Sequence, residues 1–463
     1  MRSRQHFVSG SGLRKIKPRI DASIPRAQET GELFDDPFSF LARARASLGD
    51  VFVVCEDKAL FSRAADCAGV VAVFGAANYQ SVLTDADVFR QPISAAQHIS
   101  LPQNLINLNQ GLHSMQGEQH DQHQRLLMHV LGERGNDGRE QLVRASLEKF
   151  VQDWKYGRQI PLLEEMRRLT LEISTRLLFG EQYEESAQLA ALAAQYFHAR
   201  RAVAATFKSP GKTTRAKLIA LGTSLDQSLR RYIDWSRRQK NNDDGLLRTI
   251  TSIETFSDDQ LVAHSNVLFM SSLEPTAVTM TWALLILSQL PELRRSLRED
   301  RDEQLLAGVV NETLRLLTPN ALMTRLTNGD TRLNSFPIPE NCEILISPFL
   351  AHREAERFAD PHKFLPERWR GRKPSPFVYF PFGSGVHYCA GRSLAMNMIK
   401  NSLAFLLQRY DLVLSSDQEV DWAIDIVLLP ENDPLMSIHG PKTTSPHGGK
   451  LLGPVSELID IKS

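Results

Sequence analysis

Cysteine is scarce in this chain, and net charge is absent. Only four of the 463 residues are cysteines (Cys55, Cys67, Cys342 and Cys389), and no short spacing relates them. This scatter argues against a disulfide framework and against a Cys-x-x-Cys zinc site. Lys plus Arg and Asp plus Glu both number 54, so no overall field draws the chain toward nucleic acid or an anionic membrane. A reducing cytoplasm is therefore the expected location.

Long hydrophobic runs are also rare. The strongest lies at Asn266–Leu290 and is long enough to span a bilayer. Because Glu274, Pro275 and several hydroxyl residues stand at its centre, we predict a helix buried in a large protein and no membrane span. The first twenty residues contain six basic residues and no acid, but no apolar segment of a secretory signal follows them. A basic, disordered extension is the interpretation we prefer to a transit peptide.

Helical periodicity is abundant. Hydrophobic residues make up 42% of the chain, enough for a large core, and no internal repeat or composition shift divides it. Helices are predicted at Gln141–Trp154, Leu162–Leu178, Glu185–Ala205, Ala216–Gln239, Asp258–Leu290, Arg301–Leu317 and Cys389–Arg409. Short strands are predicted at residues 50–57, 69–75, 342–349 and 425–430. We therefore predict a mainly α fold with a small β component in a single domain.

One cysteine stands in an unusual stretch, FPFGSGVHYCAGRSL, at Phe380–Leu394. The apolar pattern after Cys389 predicts that a helix begins there, and the free N–H groups and positive dipole end of a helix start stabilise a thiolate. A thiolate sheltered from water is what a haem iron uses as a strongly donating axial ligand. A packed core cysteine beside a glycine turn is the alternative.

The neighbours of this cysteine suit the approach of a flat ligand. Gly383 and Gly385 allow a tight turn whose backbone amides can point at the sulfur. Gly391 leaves room for a flat group against the first helical turn. Phe382 would cover the sulfur and keep water away from it.

The stretch resembles the haem-ligand loop of the cytochrome P-450 family, F-x-x-G-x-x-x-C-x-G, at every fixed position from Phe382 to Gly391. The resemblance implies the triangular, mainly helical fold of that family over residues 31–440. It does not reach the extension at 1–30 or the tail at 441–463, and the Gly, Pro and Ser residues of the tail predict that it is loosely held. The resemblance also implies haem b as the cofactor, with Cys389 as the axial ligand of its iron. Substrate contacts would come from residues 90–108, 270–275, 320–324 and 429–435.

Two further motifs belong to the same resemblance. Glu312 and Arg315 in "ETLR" are three residues apart on a predicted helix, so their side chains share a face and can pair. Arg368 in "PERW" is the third charge that the family joins to such a pair behind the haem. The resemblance implies a structural role for this triad in folding and haem retention.

The propionates of a haem need cationic or donor partners. The resemblance places His387, Arg325 and His120 at such positions. The family's H-x-x-x-R helix has Gln124 here where the arginine stands, and a glutamine can still donate a hydrogen bond without charge. A metal-binding H-x-x-H pair formed by His120 and His123 is the alternative, although no further ligand stands at a suitable spacing.

The long apolar helix departs from the family at its midpoint. Members usually have an acid followed by a threonine, and that threonine is generally read as holding the water that delivers protons to iron-bound dioxygen. Here Pro275 follows Glu274. Proline has no hydroxyl and cannot donate to the carbonyl of Ser271, so we expect a kink that frees this carbonyl to bind water. Thr276 lies about 100° further round the helix and cannot replace the missing group.

The resemblance implies a monooxygenase that inserts one oxygen atom from O2 into a small organic substrate, a secondary metabolite, terpenoid or lipid-like molecule. Glu274 with Ser271 or Ser272 would handle protons. Electrons would come from a ferredoxin or flavodoxin with an NAD(P)H-dependent reductase, and Arg125, Arg392 and Lys400 could form the docking patch or be ordinary solvated charges. Two alternatives are an atypical enzyme that uses H2O2 or catalyses coupling, dehydration or rearrangement, and a non-catalytic haem protein that binds a ligand.

Overall fold

A computed structural model of the chain describes residues 18–28, 30–62, 64–92, 101–132, 136–205, 211–239, 245–441 and 448–461. Its α-helices, in chain order α1 to α16, are Glu32–Asp35, Pro37–Leu48, Ala76–Thr84, Gln103–Leu108, Gly117–Leu131, Asn136–Phe150, Leu162–Phe179, Ser186–Ala205, Lys212–Arg238, Leu246–Thr251, Asp258–Ser288, Pro291–Glu299, Glu303–Leu316, Pro348–Ala351, Arg392–Arg409 and Pro454–Leu458. Its strands, β1 to β14, are Val51–Glu56, Gly69–Val73, Phe89–Arg90, Gln159–Pro161, Met323–Thr327, Thr331–Leu333, Phe336–Ile338, Glu343–Ile346, Asp411–Leu414, Gln418–Glu419, Trp422–Ile424, Leu428–Pro430, Leu435–His439 and Leu451–Leu452.

Helix α11 runs through the centre of the larger hydrophobic core. It begins with a capping box in which the Ser257 hydroxyl and the Gln260 side chain each bind the other residue's backbone N–H. Most of its side chains are buried, and it packs against α7, α4, α9, α13 and α15. A helix that is apolar on all sides must be covered on all sides, so the sequence of α11 explains why other helices surround it.

The same helix is the one described segment long and apolar enough to cross a membrane. In its apolar window, 78% of the residues are buried inside the protein. Length and composition alone are weak evidence, because the core helix of a soluble protein meets the same criteria. The burial agrees with the prediction of a core helix at this place.

The main sheet has five strands in the order β1-β2-β8-β5-β3. β2 and β8 are parallel, whereas the other neighbours are antiparallel. A second hydrophobic core lies against this sheet and includes Phe52, Phe74 and Phe380. Because Phe380 immediately precedes the glycine-rich turn, this core anchors the cysteine loop to the sheet.

The structure confirms the mainly α fold with a small β component. Each long predicted helix is present, with ends within a few residues of the prediction. The largest differences are at the starts of α6 (Asn136), α9 (Lys212) and α15, which begins at Arg392 and therefore after Cys389. Among the described helices, α1 to α5, α10, α12, α14 and α16 were not predicted, because they are short or have a mixed surface pattern.

The chain ends behave differently from the expectation. Of the N-terminal extension, residues 1–17 and 29 lie outside the described residues, but Ile20 and Ile24 are buried and the backbone at Arg26 bridges to Val53. In the tail, residues 448–461 form β14 and α16, with Val455 and Ile459 buried. The described parts of both ends are therefore packed against the body, and the prediction of a loose tail is wrong for them.

Candidate active site

The cysteine loop begins after Phe380, a residue of the second hydrophobic core, and ends at the start of helix α15. The backbone N–H of Cys389 donates to the carbonyl of Phe382 at 2.9 Å, which closes the loop, and a 3-10 helix at Gly385–His387 lies inside it. Gly391 is the residue before α15, and its backbone N–H donates to the Cys389 sulfur. The helix start therefore stabilises a thiolate as expected, although it lies three residues further along than predicted.

Cys389 is accessible to solvent as a residue, and its thiol is also partly desolvated by the protein around it. Cys389 is the one exposed cysteine among the four. Desolvation by the surrounding protein raises the pKa of the Cys389 thiol, while the Gly391 amide and the Arg392 charge lower it. The guanidinium of Arg392 lies 5.7 Å from the centre of the Phe382 ring, on the ring that the sequence predicts as the cover of the sulfur. A bound metal cation would supply the further charge that keeps this thiol ionised.

Gly385 is required by two independent constraints. Its φ is +68°, and a Cβ placed on it would lie 1.9 Å from the carbonyl oxygen of Leu83 in α3. Both the backbone conformation and the contact exclude a side chain. By contrast, a Cβ on Gly391 would meet nothing within 4 Å, which leaves a space beside the sulfur that a flat group can fill.

We predict that Gly385→Ala largely abolishes haem incorporation, because the loop must move away from α3 to accept the methyl group. The measurement is the ratio of Soret to protein absorbance after purification in the presence of haem. Gly371→Ala is the matched control, because its φ is +67° but a Cβ there meets nothing within 4 Å. If both variants have the same haem content, the contact of Gly385 with α3 is not what haem incorporation depends on, and the prediction is contradicted.

His387 and His120 form a pair beside the loop. Nδ1 of His387 shares a hydrogen bond of 3.1 Å with Nε2 of His120, and Nδ1 of His120 lies 3.2 Å from a carboxylate oxygen of Asp121. Nε2 of His387 is buried and has no hydrogen-bond partner among the described residues. Desolvation, then the charges of His120 and Arg325, lower the pKa of His387 to about 3. This nitrogen is a buried polar atom that lacks its partner, and it can donate when the proton of the ring is on Nε2.

Like Nε2 of His387, the guanidinium of Arg325 is buried and lacks a charged partner among the described residues. It is buried on β5, and it donates from Nη1 to its neighbour's carbonyl at Thr324 and to Oε1 of Gln91. No carboxylate among the described residues pairs with it, and desolvation lowers its pKa to about 10. A buried cation without an anion is costly, so a negatively charged group of a ligand is the partner that this position lacks.

Gln124 makes a contact with the cysteine loop that the sequence did not predict. Its amide Nε2 donates to the carbonyl of Tyr388 at 2.8 Å, so α5 fixes the backbone next to Cys389. An uncharged side chain of this length reaches the loop carbonyl and satisfies it. Gln124 thus positions the loop, and its role as a donor to a propionate through the second N–H of the amide stays a prediction.

The alternative metal pair on α5 does not form. His120 faces His387, whereas Nδ1 of His123 shares a 2.8 Å hydrogen bond with Nε2 of His264 on α11. Within the described part of the chain, no group of three or more His, Cys, Asp or Glu side chains could hold a metal ion. The two histidines of this motif thus belong to separate contacts.

Glu312 is the centre of the charged triad. Its carboxylate accepts from Nε and Nη2 of Arg315 at 2.9 and 2.8 Å and from Nε of Arg368 at 2.9 Å. It also accepts from the backbone N–H of Leu365 and from Nε1 of Trp369. The Glu312 and Arg315 side chains are fully buried. One carboxylate therefore fastens α13 to the segment that precedes the cysteine loop.

The candidate proton-handling residues face in different directions. Ser271 is exposed, alone among residues 261–288, so its face of α11 borders an open space. The hydroxyl of Ser272 donates to the carbonyl of Phe269 at 2.7 Å and can accept from the hydroxyl of Ser174 on α7, whose Oγ lies 3.0 Å away. The buried carboxylate of Glu274 is bound by Arg167 of α7 and, at 3.4 Å, by Arg201 of α8. α11 continues through Pro275 as helix without a break.

Several residues of this region were missed from the sequence. Arg167 and Arg201 hold Glu274, and Arg201 also binds Asp425. His113 lies in the 3-10 helix Leu112–Ser114, and desolvation by the surrounding protein, then the charge of Arg200, lower its pKa to about 4. The positions of the two arginines depend on how α7 and α8 cross α11, and no local pattern in the sequence indicates such a crossing.

A helix-start thiolate, a space beside it for a flat group and unpaired buried donors on one side together define a haem-thiolate protein. The chain belongs to the cytochrome P450 family, whose family model matches residues 69–436. Membership implies haem b as the cofactor. The residues present fit this group. The clear space at Gly391 has room for a flat macrocycle. Among the described residues, Nε2 of His387 lacks a hydrogen-bond partner and the guanidinium of Arg325 lacks a carboxylate partner, so these two groups can bind the two carboxylates of the macrocycle.

Comparisons with individual proteins are consistent with this family. The chain is 30% identical over 211 residues to the mitochondrial sterol 26-hydroxylase of Rattus norvegicus, covering 40% of each chain. It is 26% identical over 339 residues to the cytochrome P450 monooxygenase pvhE of Talaromyces variabilis, covering 62% of each. These matches thus span about 40% to 62% of the length of the curated relatives.

Solved structures share the fold over nearly the whole chain. The retinoic acid-bound cyanobacterial CYP120A1 has a TM-score of 0.75 at 20% identity, covering 92% of this chain and 99% of that one. The haem domain of cytochrome P450DA has a TM-score of 0.76 at 19% identity, with the same coverage. At such identities the likeness establishes the fold alone.

Proposed function

We propose that this protein is a haem-thiolate monooxygenase that inserts one oxygen atom from O2 into a small organic substrate. The observation that supports this most directly is Cys389, held at a helix start with the Gly391 amide on its sulfur and a clear space beside it. A secondary metabolite, terpenoid or lipid-like molecule is the substrate class we favour. The names of the relatives, a sterol hydroxylase and a monooxygenase, support the reaction type.

Haem b, when bound, supplies the activation of oxygen, and the chain supplies its position and electronics. Cys389 would ligate the iron, with Phe382 as cover and the turn at Gly383 and Gly385 as support. His387 and Arg325 would bind the propionates, and His120 would orient the His387 ring through the bond to Nδ1. The triad of Glu312, Arg315 and Arg368 would hold the fold behind the haem and take no part in turnover.

For proton handling we propose Ser271 as the group nearest the reaction space, with Glu274 and Ser272 behind it. Ser271 is exposed there, and Pro275 leaves the Ser271 carbonyl without its usual helical N–H partner. Water bound at this carbonyl and hydroxyl could pass a proton inward. Glu274 can take part only when a guanidinium of Arg167 or Arg201 moves off its carboxylate.

Electron supply is proposed to come from a ferredoxin or flavodoxin with an NAD(P)H-dependent reductase, in the cytoplasm. Arg125 and Arg392 are exposed and Lys400 is partly exposed, so all three can contribute to a docking surface. Surface charges of this kind influence association rates more than stability, so the dependence of electron transfer on ionic strength is the property to measure.

The test is spectroscopic first and catalytic second. Reduced protein treated with carbon monoxide should give the Soret band of a thiolate-ligated haem. Turnover of a substrate found by spectral screening should then require O2 and a ferredoxin system with NAD(P)H. Activity with H2O2 alone would favour the atypical enzyme, for which Pro275 is the supporting observation. A haem spectrum with no product under any oxidant would favour a non-catalytic ligand-binding protein.

Pro275→Thr distinguishes the two enzymatic candidates. Because threonine restores both the hydroxyl and the backbone donor, a monooxygenase should keep its turnover and couple an equal or larger share of NAD(P)H to product. Product formed and NAD(P)H consumed are the quantities to compare. Loss of O2-dependent turnover with retained H2O2-dependent turnover would contradict the monooxygenase proposal. Thr276→Ser, which keeps a hydroxyl one position further on, is the matched control.

A further inference from the structure

Arg200 of α8 is held in place by neutral partners. Its Nη1 donates to Oδ1 of Asn109 at 2.7 Å. Nδ2 of Asn109 donates in turn to the carbonyl of Leu105 and to the hydroxyl of Tyr196, at 2.7 and 2.8 Å. Asn109 and Tyr196 are both buried. These two bonds of Nδ2 fix the amide so that its oxygen faces the guanidinium, and the guanidinium is thereby oriented before any ligand arrives.

No carboxylate in the described part of the chain neutralises this cation. Among the described residues Arg200 forms no ion pair, whereas the next residue, Arg201, binds Glu274 and Asp425. On the neighbouring helix, Arg230 binds Asp226 and Asp259. Desolvation lowers the pKa of Arg200, but an arginine stays charged at neutral pH. A desolvated guanidinium with only an amide oxygen as acceptor retains most of its capacity for an anion.

The guanidinium opens into a recess of about 690 Å3. α4, the segment after it, the first turn of α5 and the start of α11 line this recess. Its lining includes the polar side chains of Gln110, Ser114 and Gln119. Asp259, the acid in the lining, is already bound by Arg230 and Asn107. The recess therefore presents one uncommitted positive charge among neutral polar groups.

The recess adjoins the side of the site where the haem propionates would lie. Ser114 and Met115 line it, and His113 precedes them in the 3-10 helix Leu112–Ser114. Gln119 also lines the recess, and the next residue of α5, His120, shares a hydrogen bond of 3.1 Å with His387 of the cysteine loop. The first turns of α5 therefore connect the recess to the histidine pair beside the cysteine loop.

From this arrangement we propose that Arg200 binds the carboxylate of an organic acid substrate whose remaining part extends toward the haem. The inference rests on the proposed function, because it names the class of molecule that the same site accepts. A carboxylate matches the planar fork of a guanidinium, and Nη1 anchored on Asn109 leaves the remaining N–H groups for it. A cationic substrate would meet an uncompensated like charge at this place, so the recess disfavours it.

The experiment uses the holoprotein and probes that do not require the substrate to be known. A series of ω-(imidazol-1-yl)alkanoic acids of increasing chain length is titrated, together with the corresponding alkylimidazoles that lack the acid group. The imidazole of every probe ligates the haem iron and shifts the Soret band, which gives a Kd without any turnover. The ratio of the two Kd values at each length measures the contribution of the carboxylate.

In the wild-type protein the acid should bind more tightly than its neutral partner at one range of chain lengths, by about 10- to 100-fold, as expected for a charge-assisted hydrogen bond. Arg200→Met should remove this preference and leave the Kd of the alkylimidazole within about 3-fold. Arg200→Lys should restore part of it, because the charge returns without the fork. Arg231→Met, at an exposed arginine of α9 near Glu185, is the control and should retain the full preference.

The proposal is overturned if the wild-type protein shows no acid preference at any length, or if Arg200→Met weakens acid and neutral probes equally. The second result would make Arg200 a structural residue. Failure of the proposed function gives a separate signature: alkylimidazoles produce no Soret shift if haem is not bound, and a haem protein that is not a monooxygenase shows the shift but forms no product with O2 and NAD(P)H. Retention of the carbon monoxide spectrum by Arg200→Met and Arg200→Lys verifies that both variants are folded with haem.

Discussion

Cys389→Ser is expected to remove the thiolate Soret band of the carbon monoxide complex and to reduce turnover to background. A serine hydroxyl does not ionise at neutral pH and is a weak donor, so the electron density that assists oxygen chemistry is lost with the sulfur. The protein should still fold, because Cys389 is exposed and its backbone bond to Phe382 does not depend on its side chain. The measurements are the difference spectrum, haem content and product formation.

Cys55→Ser is the matched control for this substitution. Cys55 is partly exposed on β1 and lies in the second core region, remote in the sequence from the loop. We expect the optical spectrum and the turnover of the Cys55→Ser protein to equal those of the wild-type protein. If Cys389→Ser instead keeps the wild-type bands and activity, another residue ligates the iron and the proposed chemistry is incorrect.

The sequence predicts those features that depend on short-range spacing. The cysteine loop and the Glu312–Arg315 pair come from motifs of a few residues, and their contacts follow from turn and helix geometry. The long helices follow from the 3.6-residue period, and α11 is apolar enough to identify without any motif. In each case the residues that interact are neighbours along the chain.

Features that depend on the packing of distant elements could not be predicted in this way. Gln124 binds the Tyr388 carbonyl because α5 lies against the loop, and the sequence motif alone suggested a propionate. Glu274 is bound by arginines of α7 and α8. From the sequence alone, a carboxylate in an apolar helix is equally consistent with an ion pair and with a free proton carrier. The recess at Arg200 requires the crossing of four elements, which no periodicity encodes.

The largest effect on stability is expected for Glu312→Ala. The substitution leaves Arg315 fully buried with no anion, and it also removes the acceptor of Arg368, Trp369 Nε1 and the Leu365 N–H. Breaking a buried ion pair by removing one partner costs about 3–5 kcal/mol. We therefore expect a fall of this size in the free energy of unfolding, or a protein that does not retain haem during purification. Denaturant unfolding of the holoprotein, followed by the Soret band and by circular dichroism, measures both.

Glu303→Ala on the same helix provides the comparison. Glu303 is exposed in the first turn of α13, where an acid interacts only with the helix dipole, so its loss should cost no more than about 1 kcal/mol. If the triad acts only on structure, the fraction of Glu312→Ala that retains haem should keep the turnover per haem of the wild-type protein. A Glu312→Ala protein as stable as Glu303→Ala would mean that Arg315, which also donates to the carbonyls of His352 and Pro361, is satisfied without the carboxylate. That result would contradict a fastening role for Glu312.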